Sequence, residues 1–269
     1  MTTDTTTSSD STLEQRYQSV KDRIEQAAQR SGRRGSDVVL VVVTKNAGME
    51  TIRELMNLGH LDFGESRTGN MVARAAQVQE YVERMRELPR VSSQEAPESP
   101  RWHMIGRLQR NKVRKAVESS RLIHSVDSMR LAEEIQAQAA KTGEVAEVLI
   151  QVNVSGETSK AGIQPAAAQH VIDQINTMLN VRPRGMMCMA PHTDDMDVVR
   201  SVFTRCSELY EEMTRLGTGG KRFNILSMGM SNDFEVAVEC GANLVRVGSA
   251  VVGPPVPGDE DIEVEDDEE

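Results

Sequence analysis

The sequence predicts an α/β fold, a (β/α)₈ barrel in a single domain. Three observations predict it. Strand-like apolar runs alternate with helix-like periods from residue 13 to about 250. Eight such runs fit within about 215 residues, and strict alternation implies parallel strands joined by right-handed crossovers. No GxGxxG follows the first run, which weakens the open doubly wound sheet as the alternative.

The elements follow in order. Leu13, Tyr17, Val20, Ile24 and Ala28 recur at spacings of three and four and predict a helix over 13–31. "VVLVVVT" (38–44) is the first strand. A short helix over 49–58 stops at Gly59, a C-cap signal. "HLDFG" is the second strand, and Met71, Ala75, Val78, Val82 and Met85 mark the next helix. Residues 86–100 are rich in Pro, Ser and Glu and read as a mobile surface loop. Then come "RWHMIG", a helix in "QRNKVRKAVES", "LIHSV", a helix over 128–142, "EVLIQVNVS" and a helix over 165–179. "PRGMMCMA", a helix over 194–216, "FNILSMG", a helix over 231–240 and "NLVRVG" complete the set. Seven helices lie between strands, so the helix at 13–31 is expected to take the eighth outer position. The barrel is expected to span 13–254, between a disordered Ser/Thr-rich head (1–12) and a disordered acidic tail (255–269).

Composition excludes several classes. The longest apolar run is far short of the roughly 18–20 residues that span a bilayer. The first 12 residues have neither a basic region nor an apolar run, so no secretory signal is expected. Cys188, Cys206 and Cys240 are odd in number and widely spaced, which disfavours a disulfide framework and fits a reducing cytoplasm. The five histidines lack metal-ligand spacing, so no metal is expected. Net charge is −10, but "GDEDIEVEDDEE" holds nine acids and no base, leaving about −1 for residues 1–257. A nucleic-acid surface would need clustered positive charge.

A run of six apolar residues, Val38–Val43, ends on Thr44 and then Lys45. The sites of such barrels lie at the C-terminal ends of the strands, where Lys45 falls. A strand-end lysine can simply reach water. Enclosed by apolar groups, its amine would lose its proton more readily and could form a Schiff base with a carbonyl compound. The far end of the chain offers a docking place for one. "SMGMS" (227–231) closes strand seven and "RVGS" (246–249) closes strand eight. Gly229 and Gly248 admit close backbone approach, and Ser231 and Ser249 carry hydroxyls, as in the phosphate sites of these barrels. Strand eight neighbours strand one in a closed barrel, so a phosphate site stands beside Lys45. Together they outline pyridoxal 5′-phosphate (PLP). Arg246, two residues before Gly248, faces the same side and could meet the pyridine nitrogen. An Arg there predicts weaker carbanion stabilisation than an Asp. A structural Arg paired with a neighbouring acid is the other reading.

The segments "VVVTK", "FGES", "WHMIGRLQRNK", "VLIQVNVSGETSKAGI", "RGMMCMA" and "LSMGMSNDFEVAVECGANLVRVGSAVVG" resemble the YggS/PROSC family of PLP-homeostasis proteins along nearly all of 13–253. The resemblance implies a (β/α)₈ barrel of the alanine racemase N-terminal domain type without a second domain, and PLP held as a Schiff base on Lys45. It implies phosphate binding by Ser231, Gly248 and Ser249 with help from the Met230 backbone, and Arg246 at the ring nitrogen. It implies storage, buffering or delivery of PLP, with PLP-dependent apoenzymes as possible partners and no established catalysis. Gln109, Asn111 and Lys112 either line the pocket mouth or serve as helix-capping and surface residues. Glu157 and Lys160 lie in a polar loop to which the family assigns a part in PLP exchange. The sequence departs from the family at "FGESR", where Ser66 replaces an amide and Arg67 an aromatic residue, which puts contacts from that turn in doubt. His103 and His124, on adjacent strands, face the barrel, the site or the core.

The runner-up is a PLP-dependent racemase or decarboxylase of the same barrel. Such enzymes add a C-terminal β-domain, and a racemase needs proton donors on both faces of the substrate carbon. About 20 residues follow Gly248, and beyond Lys45 the second donor has no candidate. A class I aldolase would not need the Arg246 and Ser249 arrangement. A monomer is expected, which light scattering would overturn by finding a dimer.

Overall fold

A computed structural model describes residues 11–87, 98–157 and 160–254. Eight parallel strands close into a barrel in sequence order: β1 (Val39–Val43), β2 (Asp62–Glu65), β3 (Arg101–Met104), β4 (Leu122–Val126), β5 (Ala146–Gln151), β6 (Val181–Met187), β7 (Ile225–Ser227) and β8 (Leu244–Val247). Between them run α2 (Met49–Asn57), α3 (Thr68–Glu87), α4 (Val113–Ser119), α5 (Met129–Thr142), α6 (Ala168–Asn176), α7 (Met196–Arg215) and α8 (Phe234–Glu239). The expected fold class holds.

Strand periodicity separates two apolar layers. Odd positions of β1 and even positions of β8 point inward, so Val41 and Leu244 join Leu122, Leu149 and Met187 inside the barrel. The intervening residues, Val42, Val245 and Val247, pack outward beneath the helices, in the larger core with Phe63, Phe203 and Phe234. Burying each Val, Leu or Phe contributes roughly 1.5–3 kcal/mol. This larger outer layer supplies most of the hydrophobic stabilisation.

The first helix, α1 (Leu13–Arg30), begins on a capping box, in which Thr12 Oγ1 accepts from Gln15 N and Gln15 Oε1 accepts from Thr12 N. Its buried face carries Leu13, Tyr17, Val20, Ile24 and Ala28, as the periodicity predicts. Arg23 forms a two-pronged pair with Glu235 of α8 at 2.8 Å, and Arg30 meets Glu239 at 2.6 Å. Arg16 Nε donates to Val251 O at 2.9 Å, in a short α9 (Ser249–Val252) that the sequence reading did not contain. Helix α1 thus packs on α8 and α9 outside the closing strands, the eighth outer position.

Four boundaries differ for local reasons. The strand read as 147–155 stops at Gln151, because the chain folds back and Asn153 N donates to Ile163 O. Residues 110–112 and 165–167 are 3₁₀ turns leading into α4 and α6. Helix α8 starts at Phe234 rather than 231, because Asp233 folds the preceding turn by accepting from Met230 N at 2.5 Å. The expected disordered tail lies outside the described residues, as do the head, apart from Ser11 and Thr12, and most of the 86–100 loop.

Candidate functional site

The closing pair of strands sets the site. Val41 pairs with Arg246 and Val42 with Val247, so residues following β1 and β8 emerge side by side at the C-terminal mouth. A Cβ on Gly248 would lie 3.4 Å from the Val43 side chain, an ordinary close contact. Lys45 sits two residues past β1, in a turn, and is exposed. The apolar enclosure that the Schiff-base reading invoked is not what the structure shows.

A buried ion pair holds that turn. Glu65, at the end of β2, is fully buried and pairs with Arg74 of α3. Thr44 Oγ1 donates to Glu65, while Arg74 donates to Thr44 O and, at 3.0 Å, to Ala47 O. One guanidinium therefore ties both ends of the segment carrying Lys45 to β2. The sequence reading singled out neither residue. The signal for Glu65 was an acid directly closing an apolar strand; nothing in the sequence marks Arg74.

The β7 and β8 turns form a cradle. Ser231 Oγ accepts from the backbone N–H of Gly248 at 3.1 Å and of Ala250 at 3.5 Å, which pins the two turns together. Gly229 has φ +89°, and an added Cβ there would lie 2.6 Å from the Ala237 side chain, so the crossing requires glycine. Met230, Ser231 and Ser249 line a cavity of about 360 Å³, together with the loop after β6 at Ala190–Thr193. Lys160 Nζ reaches Ala190 O at 2.9 Å and Glu157 at 3.1 Å, so it links the β5 loop to that wall while pairing with Glu157.

The structure does not gather every expected residue into this cavity. Ser66, Gln109 and Lys112 line a second, wider cavity of about 690 Å³ on the same barrel face, with Arg67 beside them. Asn111 is exposed and lines neither cavity. The Gln109 side chain does not cap the turn that follows it.

Arg246 is buried beneath the mouth. It donates to Ser227 Oγ at 2.5 Å and to Cys188 O at 3.1 Å, and burial pushes it down from its ordinary value. Its described hydrogen bonds go to a hydroxyl and a carbonyl, not to the neighbouring acid that the structural reading required. Ser227 also meets His124 Nδ1 at 3.2 Å. His124 Nε2 meets His103 Nδ1 at 3.0 Å, and His103 Nε2 meets Asp62 at 3.1 Å. One proton on each ring satisfies every member. Arg246 donates to Ser227, Ser227 to His124, His124 to His103, and His103 to the Asp62 carboxylate. The chain crosses the barrel interior from a guanidinium near the mouth to a carboxylate at the opposite end. Burial raises the Asp62 carboxyl, but hydrogen bonds from Arg101 and His103 outweigh it and hold the group well below the usual carboxylate range. Burial pushes His124 well below the usual imidazole value. The two histidines thus face the barrel interior, one of the alternatives the sequence left open.

Among the described residues, no cluster of His, Cys, Asp and Glu could hold a metal ion, and no helix is long and apolar enough to cross a membrane.

The arrangement has known counterparts. The family described as alanine racemase, N-terminal domain, matches residues 16–255. A pyridoxal phosphate homeostasis protein of Aquifex aeolicus is 36% identical over 243 residues, covering 89% of this chain and 96% of that one. A crystal structure of an unknown protein from Bifidobacterium adolescentis superposes with a TM-score of 0.80 at 34% identity, over 89% of this chain and 94% of that one. PipY from Synechococcus elongatus, solved with PLP bound, gives a TM-score of 0.74 at 29% identity, over 90% of this chain and all of that one. An alanine racemase of Clostridium difficile, at 15% identity and a TM-score of 0.63, shares the fold; the match covers 55% of its length.

Proposed function

Because the chain belongs to the alanine racemase N-terminal domain family, and within it to the pyridoxal phosphate homeostasis proteins, we propose that it binds PLP and serves to store, buffer or deliver it. The observation that carries the reading is the β1–β8 register. It sets Lys45 beside a cradle of Ser231, Gly248 and Ser249, with the buried Arg246 below.

The donor set fits the group. Hydroxyls of Ser231 and Ser249 suit phosphate oxygens, and Gly248 leaves room for backbone approach. The Met230 N–H is already taken by Asp233, so its part is to keep the 230–233 turn in shape. Arg246 has no acceptor to offer a protonated ring nitrogen and keeps its own protons, so it favours the unprotonated ring. Bound PLP supplies an aldehyde carbon open to amines. Lys45 would hold the group there as a Schiff base. Ser66 lines the wider cavity, so its contribution is to the mouth.

A weak electron sink disfavours breaking bonds at an amino-acid α-carbon. Together with the homeostasis names of the relatives, this supports a carrier without turnover of its own over a racemase, and we propose that the carrier is cytoplasmic and monomeric and serves PLP-dependent apoenzymes.

The visible spectrum before and after borohydride tests the reading. The purified protein with added PLP is expected to show a yellow imine band, and borohydride is expected to fix the cofactor to the peptide containing Lys45. Lys45→Ala is expected to show neither. A protein that takes up no PLP, or a label on another lysine, overturns it. Racemisation or decarboxylation of an amino acid would replace the carrier with an enzyme.

A further inference from the structure

We propose that Arg16, near the start of α1, is a positioning residue for the phosphate cradle and acts through α9. The inference rests on the reading of Ser231, Gly248 and Ser249 as that cradle. Helix α9 is a single turn, Ser249–Val252, so Ser249 is at once its first residue and a cradle hydroxyl. Val251 N and Val252 N donate to Gly248 O at 2.8 and 3.0 Å, and Gly253 N donates to Ser249 O at 3.0 Å. One isolated turn does not hold itself in water, because fixing its backbone costs more than its few hydrogen bonds return. Its shape is set by what grips its two ends.

Ser231 grips the first end, where its hydroxyl accepts from Gly248 N and Ala250 N. Arg16 grips the second. Its Nε donates to Val251 O at 2.9 Å and its Nη2 to Val252 O at 3.3 Å. The last carbonyls of a helix have no partner within it, and the guanidinium satisfies two of them. Its planar fork spans successive carbonyls, a geometry that the single ammonium of a lysine does not reproduce. The remaining arm, Nη1, donates to Ser11 O, which fixes the group against the chain entering α1. Gly253 follows with φ +86°, and an added Cβ there would lie 3.4 Å from Nη2, so the chain leaves α9 against the guanidinium. Arg23 and Arg30, on the same helix, pair with α8 instead. With both ends held, Gly248 and Ser249 keep one geometry before phosphate arrives, and binding does not have to order the turn.

Imine absorbance titrations with PLP and with pyridoxal, which lacks the phosphate, test the proposal, beside amide hydrogen exchange without ligand. Arg16→Ala is expected to weaken PLP about tenfold relative to the parent chain and to leave pyridoxal within about twofold. Arg16→Lys, which reaches one carbonyl, is expected to fall between. In the unliganded protein, residues 248–253 should exchange at least about fivefold faster in Arg16→Ala. Arg30→Ala loosens the far end of α1 by removing its pair with Glu239 and should change neither readout. Equal weakening of PLP and pyridoxal, or the same changes in Arg30→Ala, would make Arg16 a general brace of the barrel and overturn the proposal. Unchanged PLP affinity in both Arg16 variants, with a parent chain that binds PLP, overturns the proposal alone. A parent chain that binds no PLP overturns the cradle reading and the proposal with it.

Discussion

Arg74→Ala is expected to destabilise the protein by roughly 3–5 kcal/mol, the cost of stripping a buried carboxylate of its cation. Glu65 is fully buried, and the Arg74 side chain is 16% exposed, so water cannot easily replace the guanidinium. The substitution also removes the donor to Thr44 O and Ala47 O, which flank Lys45. Two readouts should therefore move together. The urea midpoint falls, and at conditions where the variant is still folded, borohydride fixes less PLP on Lys45. Removing both charges at once, with Glu65→Gln and Arg74→Met, should recover most of the stability, because an uncharged pair leaves no buried charge behind. It should not recover the labelling, because Met cannot donate to the two carbonyls. A loss under about 1 kcal/mol for Arg74→Ala would show that the pair does not brace the turn. Recovery of labelling by the double substitution would show that the turn keeps its shape without Arg74.

The contrast between Lys45 and Arg74 shows what the sequence could and could not display. Lys45 was legible because it ends an apolar run whose inward and outward positions alternate, and the same alternation placed Arg246 and Gly248 on the inner side of β8. The order of strands, and with it the neighbourhood of β1 and β8, followed from alternation and handedness alone. Arg74 lies on a helix face among alanines and a glutamine. Its reach across to β1 depends on how α3 tilts, which no periodicity encodes. The same limit applies to Ser66. The sequence placed it correctly after β2, but the division of the mouth into two cavities depends on loop shape. Helix α9 was missed because four residues are too few to show a period. His124 was half legible. Its inward direction could be read from "LIHSV", but a hydrogen-bonded chain through His103 and Ser227 needs three strands in register.

Acidification from pH 7.5 to 4.5 is expected to remove roughly 3 kcal/mol of stability through His60, with His124 adding in the same direction. His60 is 6% exposed, and its ring lies between the Tyr17 hydroxyl at 3.3 Å and the Asp62 carbonyl at 2.7 Å. Burial pushes it down to about 4, whereas the unfolded chain titrates near 6.5. Between those values the unfolded state holds a proton that the folded state does not. Stability therefore rises with pH across this window. It is fully present above about 6.5 and is lost as pH falls toward 4. His124, also driven down by burial, loses stability in the same way, and charging it would place a cation near Arg246. Asp62 works on the other side of the window. Its depressed carboxyl contributes stability that is present above about 3.9 and lost only below, so it offsets nothing at pH 4.5. Urea midpoints at the two pH values check the total, and His60→Gln, which cannot titrate, should remove about half or more of the slope. An undiminished slope in the variant would assign it to groups other than His60, and equal stability at both values would mean that these rings take up protons at no cost to the fold. The chain from Arg246 to Asp62 would then have to tolerate a charge at its centre, contrary to the one-proton pattern that satisfies each of its members.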